Sequence, residues 1–385
     1  MRLLLIIFII SGTMLGCVKA FDPGIESENS GYLVVDANID LSLNSSEITL
    51  TRTLSLESIN TINYETGAEV TIESMDGKTM QVFEESEGHY IGDLSGISDD
   101  VLYRLNIHTQ SEENYQSSWV PVKISPPIDS VSWDADDAGL NVYVNTHDPD
   151  NNSKFYRWDY VETCEFNSMF HSKGIYDDSI NYVRTRDQLT ENIHVCWRDD
   201  PSTRVILANS TMLTEDVIVQ KEITKVPPES WKHRIKYSIL VKQYVLTSEE
   251  YDYWLTIQQN NESIGSLFDA QPSTIGSNIS CISAPEKPVL GFFSMGYSSD
   301  KRLFVGFRDL PKWKKGINVP FNCLSKEPYF IPINEFLANP YENLIIDLVY
   351  DLLGNIVGIT TSDWECIECS FVNRGYTTTP DYWEN

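Results

Sequence analysis

Positive charge is scarce in this chain. Lys and Arg number 28 against 56 Asp and Glu in 385 residues, a formal net charge of −28. A field of that sign repels phosphate backbones, which excludes nucleic acid as a partner. Long apolar runs are scarcer still. One exists, at the extreme N-terminus, so repeated membrane-spanning helices are excluded. Catalytic signatures are missing too. No stretch matches HExxH, the phosphate loop or GxGxxG, and Gly291-Phe292-Phe293-Ser294-Met295-Gly296 fails as a nucleophile elbow because Phe292 stands where the first Gly belongs. Internal repeats and low-complexity tracts are also absent. Apolar matter is not: hydrophobic residues make up 41% and aromatics 11%, enough to fill a core, so disorder as the main state is excluded.

The one apolar run reads as an address. In residues 1–16, MRLLLIIFIISGTMLG, Arg2 supplies the charged start, Leu3 to Ile10 the apolar stretch, and Ser11 to Gly16 a small-residue exit. Cys17 comes at once after it. Met14-Leu15-Gly16-Cys17 resembles a bacterial lipobox, in which the Cys sulfur takes a diacylglycerol and cleavage falls just before it. Met14 and Leu15 depart from the usual residues, whereas Gly16 fits. Cys17 is therefore the expected lipidation site. Residues 17–30 are the expected lipidated Cys and tether, polar and broken by Pro23-Gly24.

Seven cysteines minus a lipidated Cys17 leave six: Cys164, Cys196, Cys281, Cys323, Cys366 and Cys369. An even remainder in an exported chain favours disulfides. Cys366-Ile-Glu-Cys369 has CxxC spacing, but no second close pair completes a zinc ribbon and no βαβ pattern surrounds it, so a structural disulfide outweighs a redox or metal site. The expected pairing joins Cys164 to Cys196 and ties Cys323 to the Cys366/Cys369 pair, with all six oxidised.

Period-2 alternation dominates the chain beyond the tether. Strands are predicted at Tyr32–Ile39, Ile48–Thr53, Ala68–Glu73, Met80–Phe83 and Tyr103–His108, with an Asp76-Gly77 hairpin turn. Prolines 121, 126 and 127 mark a boundary. Further strands are predicted at Ser130–Trp133, Leu140–Asn145, Phe155–Val161, Ile235–Leu246, Val289–Phe293, Arg302–Phe307, Ile345–Tyr350 and Ile356–Thr360. One amphipathic helix is predicted near 248–263, with Thr247 as N-cap, Glu250 completing a capping box, and Tyr251, Trp254, Leu255 and Gln258 on one face. The fold class is mainly β: two tandem Ig-like β-sandwich domains, over 31–124 and over 125–385, the second carrying the helical insert and a disulfide-bearing tail.

Taken together, these pieces resemble a known family. The matching residues are Leu33-Val34-Val35-Asp36, Gly67-Ala68-x-Val70, Gly88-His89-Tyr90, Pro126-Pro127-Ile128-Asp129-Ser130-Val131, Tyr156-Arg157-Trp158-x-Tyr160 and Cys196-Trp197. Gly265-Ser266-Leu267-Phe268-Asp269 with Pro272, Asn278-Ile279 and Leu290-Gly291-Phe292-Phe293 continue the series. It ends at Cys366-x-x-Cys369, Gly375, Thr377 to Thr379 and Pro380-Asp381-Tyr382-Trp383. Their order along the mature chain is similar to that of the "domain of unknown function 4249" family of Bacteroidota-type outer-membrane lipoproteins. Glu368, Ser370 and Tyr382 are mild departures. The resemblance implies lipid anchoring at the outer membrane, with the cell-surface face favoured, and a TonB-dependent receptor barrel as partner, because members are typically encoded beside such receptors. It carries over no catalytic residue, no cofactor and no ligand.

Weaker candidates remain. Asp148, Asp150, Asn152 and Asp159 stand at positions 1, 3, 5 and 12 of a calcium loop, but Ser153 replaces the required Gly and a polar turn explains the run as well. Nine tryptophans invite a sugar-stacking reading, for which Trp133, Trp158 and Trp254 are candidates with core packing as the default. Ser130 and Ser179 fit a short O-glycosylation pattern. The histidines (His89, His108, His147, His171, His194 and His233) are scattered. The expected function is a non-enzymatic accessory of a TonB-dependent transporter, capturing a ligand or capping the barrel. The alternatives are a stand-alone structural or adhesive surface module and, less favoured, a glycan or peptide hydrolase.

Overall fold

The computed structural model describes residues 31–43, 45–54, 62–262, 276–313, 323–372 and 374–383. The signal segment, Cys17, the tether, and the Gly265–Asp269 and Pro272 part of the family resemblance lie outside these residues.

Strands dominate, as the alternation requires. In chain order they are β1 (Leu33–Asp40), β2 (Ser45–Arg52), β3 (Asn63–Tyr64), β4 (Glu69–Ser74), β5 (Thr79–Ser86), β6 (His89–Asp93), β7 (Leu102–His108), β8 (Asn114–Ser117) and β9 (Val120–Ile124). Next come β10 (Ile128–Asp136), β11 (Gly139–His147), β12 (Phe155–Asn167), β13 (Gly174–Asp177), β14 (Tyr182–Thr185), β15 (Val195–Pro201), β16 (Ile206–Asn209), β17 (Val217–Val226) and β18 (Lys236–Val245). Helix α1 (Ser248–Glu262) precedes β19 (Ile279–Cys281), β20 (Leu290–Tyr297) and β21 (Ser299–Gly306). The chain ends through β22 (Tyr329–Pro332), α2 (Ile333–Ala338), β23 (Asp347–Tyr350), β24 (Ile356–Thr361) and α3 (Trp364–Ile367).

The first sheet is a closed barrel. Its ladder runs β7-β4-β5-β6-β2-β1-β20-β9 and returns to β7, where Leu102 faces Pro121 and Tyr103 faces Val120. Closure removes the edges an open sheet would expose. Alternate residues of each strand, among them Leu33, Val35, Ala37, Ile48, Leu50, Ile72, Leu105 and Phe293, meet in one buried cluster. At eight strands the interior is just wide enough for side chains to fill, so this is a packed core and no channel. Alternation predicts a two-sheet sandwich for 31–124, and here the structure differs. The gap between β1 and β9 is filled by β20, a strand from far down the chain that runs parallel to both. Alternation identifies which face of a strand is buried but cannot show that a distant segment completes the ring.

Gly291 is needed where β20 enters. It faces Val35 across the parallel ladder with φ +113°, and a Cβ placed there would lie 1.8 Å from the Val35 carbonyl oxygen. Only glycine permits both the backbone conformation and the approach.

The second body has two facing sheets, β10-β11-β17 and β15-β12-β18-β21, with β16 paired beside β12. Leu140, Val142 and Val144 from the first sheet share a buried cluster with Tyr156, Trp158, Tyr237, Ile239 and Val241 from the second. A small lobe lies beyond them. The sheet β22-β24-β23 packs Ile331, Leu348 and Ile359 against Phe336 of α2 and Val183 of the β13–β14 hairpin.

Cys196–Cys369 ties the segment after α3 to β15, and Cys323–Cys366 ties the segment before β22 to α3, with Cα atoms 5.8 and 5.6 Å apart. Cys164 and Cys281 carry free, buried thiols. The expected Cys164–Cys196 bridge and the three-bridge arrangement are thereby corrected. On the β12–β15 ladder Cys164 faces Arg198 while Cys196 faces Phe166. The two cysteines are thus diagonal neighbours, whose Cα atoms lie roughly 7–8 Å apart in a sheet, beyond the span of a disulfide.

Candidate functional site

Strand β12 positions the site. Its alternation sends Tyr156 and Trp158 into the core, both fully buried, with the Trp158 indole donating to Gln243 Oε1 at 3.0 Å. Arg157 and Asp159 therefore point out of the other face. There β18 sets Tyr244 opposite Arg157 and Lys242 opposite Asp159.

That outer face is covered by α1. The Thr247 hydroxyl accepts from the Glu250 N–H at 3.1 Å, which starts the helix. Tyr251 packs on Phe155 with ring centroids 4.9 Å apart and Gln258 donates to the Val205 carbonyl at 2.8 Å, so the predicted face does pack on the β12–β16 side. The Glu250 carboxyl in turn accepts from the Thr247 backbone N–H, which completes the capping box. The Glu250 carboxyl is buried against β20, where its Oε1 lies 2.8 Å from Ser294 Oγ. The helix is thus wedged between the barrel strand β20 and the second body.

Arg157 is the centre of this junction. Its guanidinium lies 4.2 Å from the Trp254 ring centroid and 4.7 Å from that of Tyr244, between two cation–π faces. One terminal nitrogen pairs with Asp159 at 3.2 Å, while Nε is buried without a hydrogen-bond partner. On its inner side a cavity of about 20 Å³ is lined by Arg157, Glu250, Ser294 and Tyr244. Burial there pushes the Glu250 carboxyl pKa up against the opposing pull of Arg157 and Ser294. The Ser294 hydroxyl has two acceptors within reach, Glu250 Oε1 at 2.8 Å and Asn38 Oδ1 at 3.1 Å.

On its outer side Arg157 lines an open pocket of about 330 Å³ together with Asp159, Tyr160, Arg204, Lys242 and Trp254. Three cations against one carboxylate is a reversal in a chain with twice as many acids as bases. Ser202 and Thr203 add hydroxyls, and no histidine or cysteine lines the pocket. Other pockets differ. One at the barrel, of about 470 Å³, contains Arg52, but Glu65 and Glu113 both pair with that cation. Another, of about 440 Å³, offers Glu249 and Asp252 and no base.

The remaining predicted residues are not brought together. Asp148 accepts backbone N–H bonds from Asp150, Asn152 and Ser153 at 2.8–3.0 Å, so its carboxylate is engaged in closing the turn. Asp159 is on β12 beside Arg157, not with that turn. The calcium reading is corrected to a polar turn: no group of three His, Cys, Asp or Glu able to hold a metal occurs among the described residues. Trp133 packs against the second core, which leaves Trp254 as the one of the three named tryptophans that lines a pocket. Ser130 accepts from Asn145 within β10, whereas Ser179 sits in an exposed turn bonded to Asp177. His171 and His194 stack at 4.5 Å. His194 Nδ1 lies 2.8 Å from the Ser168 hydroxyl, but that serine is buried and donates to the Phe170 carbonyl. His147 pairs with Asp129 at 2.8 Å.

Nothing in the sequence marks Arg204, Lys242 or Glu250 as a binding group. Arg157 is marked only as part of a family motif. Its signal is an Arg between two aromatics on an alternating strand, which places it opposite the core without saying what covers it.

The profile of the family described as "Domain of unknown function (DUF4249)" matches residues 18–302. The match includes β12, α1 and β20 and stops short of the Cys366–Trp383 tail. No curated protein matches the chain. Among solved structures, the chicken interferon gamma receptor alpha chain is 12% identical, with 56% of this chain and 89% of that chain covered and a TM-score of 0.15. So low a score carries no argument about fold or function.

Proposed function

We propose a capturing role for this chain, which belongs to the DUF4249 family. It is a non-enzymatic lipoprotein, held in the outer membrane by acylated Cys17, that takes up a ligand for a TonB-dependent barrel. The observation that carries the reading is the open pocket around Arg157. It offers cations, hydroxyls and the Trp254 ring for holding a molecule, and no histidine or cysteine that would activate its hydroxyls for attack. No cofactor is called for. The architecture that goes with this reading is two tandem domains. The first covers 31–124 and is completed by β20; the second covers 125–385, and its facing sheets carry the sandwich character.

The anchor and charge fit this placement. Residues 18–30 would extend to roughly 40 Å, enough to set the body over a barrel mouth. Cleavage before Cys17 removes Arg2 alone among the charges, leaving 27 bases against 56 acids, or −29. That charge opposes docking on an anionic lipid surface, so protein contact or divalent cations must supply the attraction.

Purification of tagged protein from crosslinked membranes in mild detergent tests the reading. A TonB-dependent barrel in the crosslinked species is the expected result. Protein recovered alone would overturn it in favour of the stand-alone surface module, for which the fully exposed Leu352 and Leu353 at the β23–β24 turn are the favouring observation.

A further inference from the structure

We infer that the pocket outside Arg157 binds a carboxylated sugar, a uronic acid or an oligosaccharide that contains one. The inference names the ligand class for the site of the proposed function and rests on that reading for its biological use, but not for its chemistry.

Charge comes first. Arg157, Arg204 and Lys242 line the pocket with Asp159 as the one acid among its walls. Lys242 also lies 3.7 Å from Asp40, so even with that acid counted the site keeps a net positive charge. Arg204 is exposed, and no carboxylate pairs with it among the described residues. Arg157 is about nine-tenths buried and holds an unpartnered Nε. Its clamp between Tyr244 and Trp254 fixes the guanidinium plane before any ligand arrives, which lowers the ordering cost of binding. A planar, pre-set guanidinium suits a carboxylate better than a neutral hydroxyl.

The rest of the wall selects among anions. Inorganic phosphate would leave Trp254 without a use, and a fatty acid would leave the Ser202 and Thr203 side of the pocket unmatched. A pyranose ring offers both an apolar face for Trp254 and hydroxyls for the polar side. The pocket volume of about 330 Å³ admits a sugar of one or two rings.

The test is calorimetric titration of the full detergent-solubilised lipoprotein with D-glucuronate, D-galacturonate, D-glucose and inorganic phosphate. At least one uronate is expected to bind ten-fold or more tightly than glucose and phosphate, and to weaken as salt rises. Arg204→Gln is expected to weaken uronate binding about ten-fold and leave the thermal midpoint unchanged, because Arg204 is exposed. No uronate binding, equal binding of glucose, tighter binding of phosphate, or an Arg204→Gln variant with undiminished affinity would each overturn the inference. The titration uses no barrel, so its failure is separate from failure of the crosslinking experiment.

Discussion

Removing the two disulfides separately should cost different amounts. Cys196–Cys369 spans 173 residues and Cys323–Cys366 spans 43, and all four sulfurs lie in one buried cluster with Phe166 and Val372. In the chain-entropy account a bridge acts by restricting the unfolded chain, and the restriction grows with the logarithm of the span. It comes to about 5 kcal/mol for the longer span and about 4 kcal/mol for the shorter. The difference of about 1 kcal/mol is firmer than either value, since strain and residual structure shift both. The variants are Cys196→Ala with Cys369→Ala, and Cys323→Ala with Cys366→Ala, each taken through urea unfolding under non-reducing conditions. Cys164 and Cys281 stay in place, and in the wild type they are the two thiols that alkylate on denaturation without reductant. A third alkylated thiol, or none, would refute the pairing. A loss below about 0.5 kcal/mol, the range of a surface substitution, would refute the claim that the bridges brace the C-terminal segment against β15 and the start of β22.

The structure sets three further outcomes, and the sequence a fourth. Gly291→Ala should cost more than about 3 kcal/mol or abolish folding, because the added Cβ meets the Val35 carbonyl at positive φ; Gly276→Ala, with nothing within 4 Å, is the control, and similar unfolding midpoints for the two would refute the argument. Burial, reinforced by the stacked His171, holds His194 down to about 4 against an ordinary value near 6.5. The unfolded chain therefore takes up a proton that the native state refuses, stability falls as pH drops between those values by about 1–2 kcal/mol after solvent screening, and His194→Gln should flatten that limb of a stability–pH curve. Glu250 has the opposite sense: its raised carboxyl is stabilising when protonated, so wild-type stability relative to Glu250→Gln should decline as pH rises past the unfolded value near 4.5, and a constant difference across pH would contradict the buried neutral acid. Cys17→Ser should release the protein from the membrane fraction, and a variant that still sediments with outer membrane would argue against lipidation there.

How much of this can be read from sequence depends on the range of the interaction. The strand Phe155–Val161 is legible because Tyr156, Trp158 and Tyr160 alternate with Arg157 and Asp159, and burial keeps that period at Tyr156 and Trp158. It runs six residues further than predicted, to Asn167, since neither Thr163 nor Glu165 breaks a strand that neighbours hold on both sides. Helix α1 is legible from Thr247 and its apolar spacing. The short strands β13 to β16 are not, because each has four to seven residues and too few periods to distinguish from loop. Cysteine pairing fails for Cys164 for a different reason: proximity in sequence suggests Cys196, while register puts the two on a diagonal.

The site is illegible for a reason that applies to binding sites on β proteins more widely. Alternation gives Arg157 the solvent face of β12, and a solvated arginine is the default there. What converts it into a buried, clamped cation is α1, which arrives ninety residues later and is itself pinned by β20 of the barrel through Glu250 and Ser294. Each element obeys its local rule, yet the property that matters belongs to their junction. At the same junction Glu250 serves two elements, closing the capping box on Thr247 and meeting Ser294 of β20. The Ser294 contact lies in the part-buried seam between β20 and α1, where an unmet hydroxyl costs about 1–3 kcal/mol. If that seam sets the helix, Ser294→Ala should loosen the Trp254 clamp over Arg157 and weaken uronate binding without touching the pocket wall. A Ser294→Ala variant with undiminished affinity would show that β12 and β18 hold Arg157 without help from the barrel.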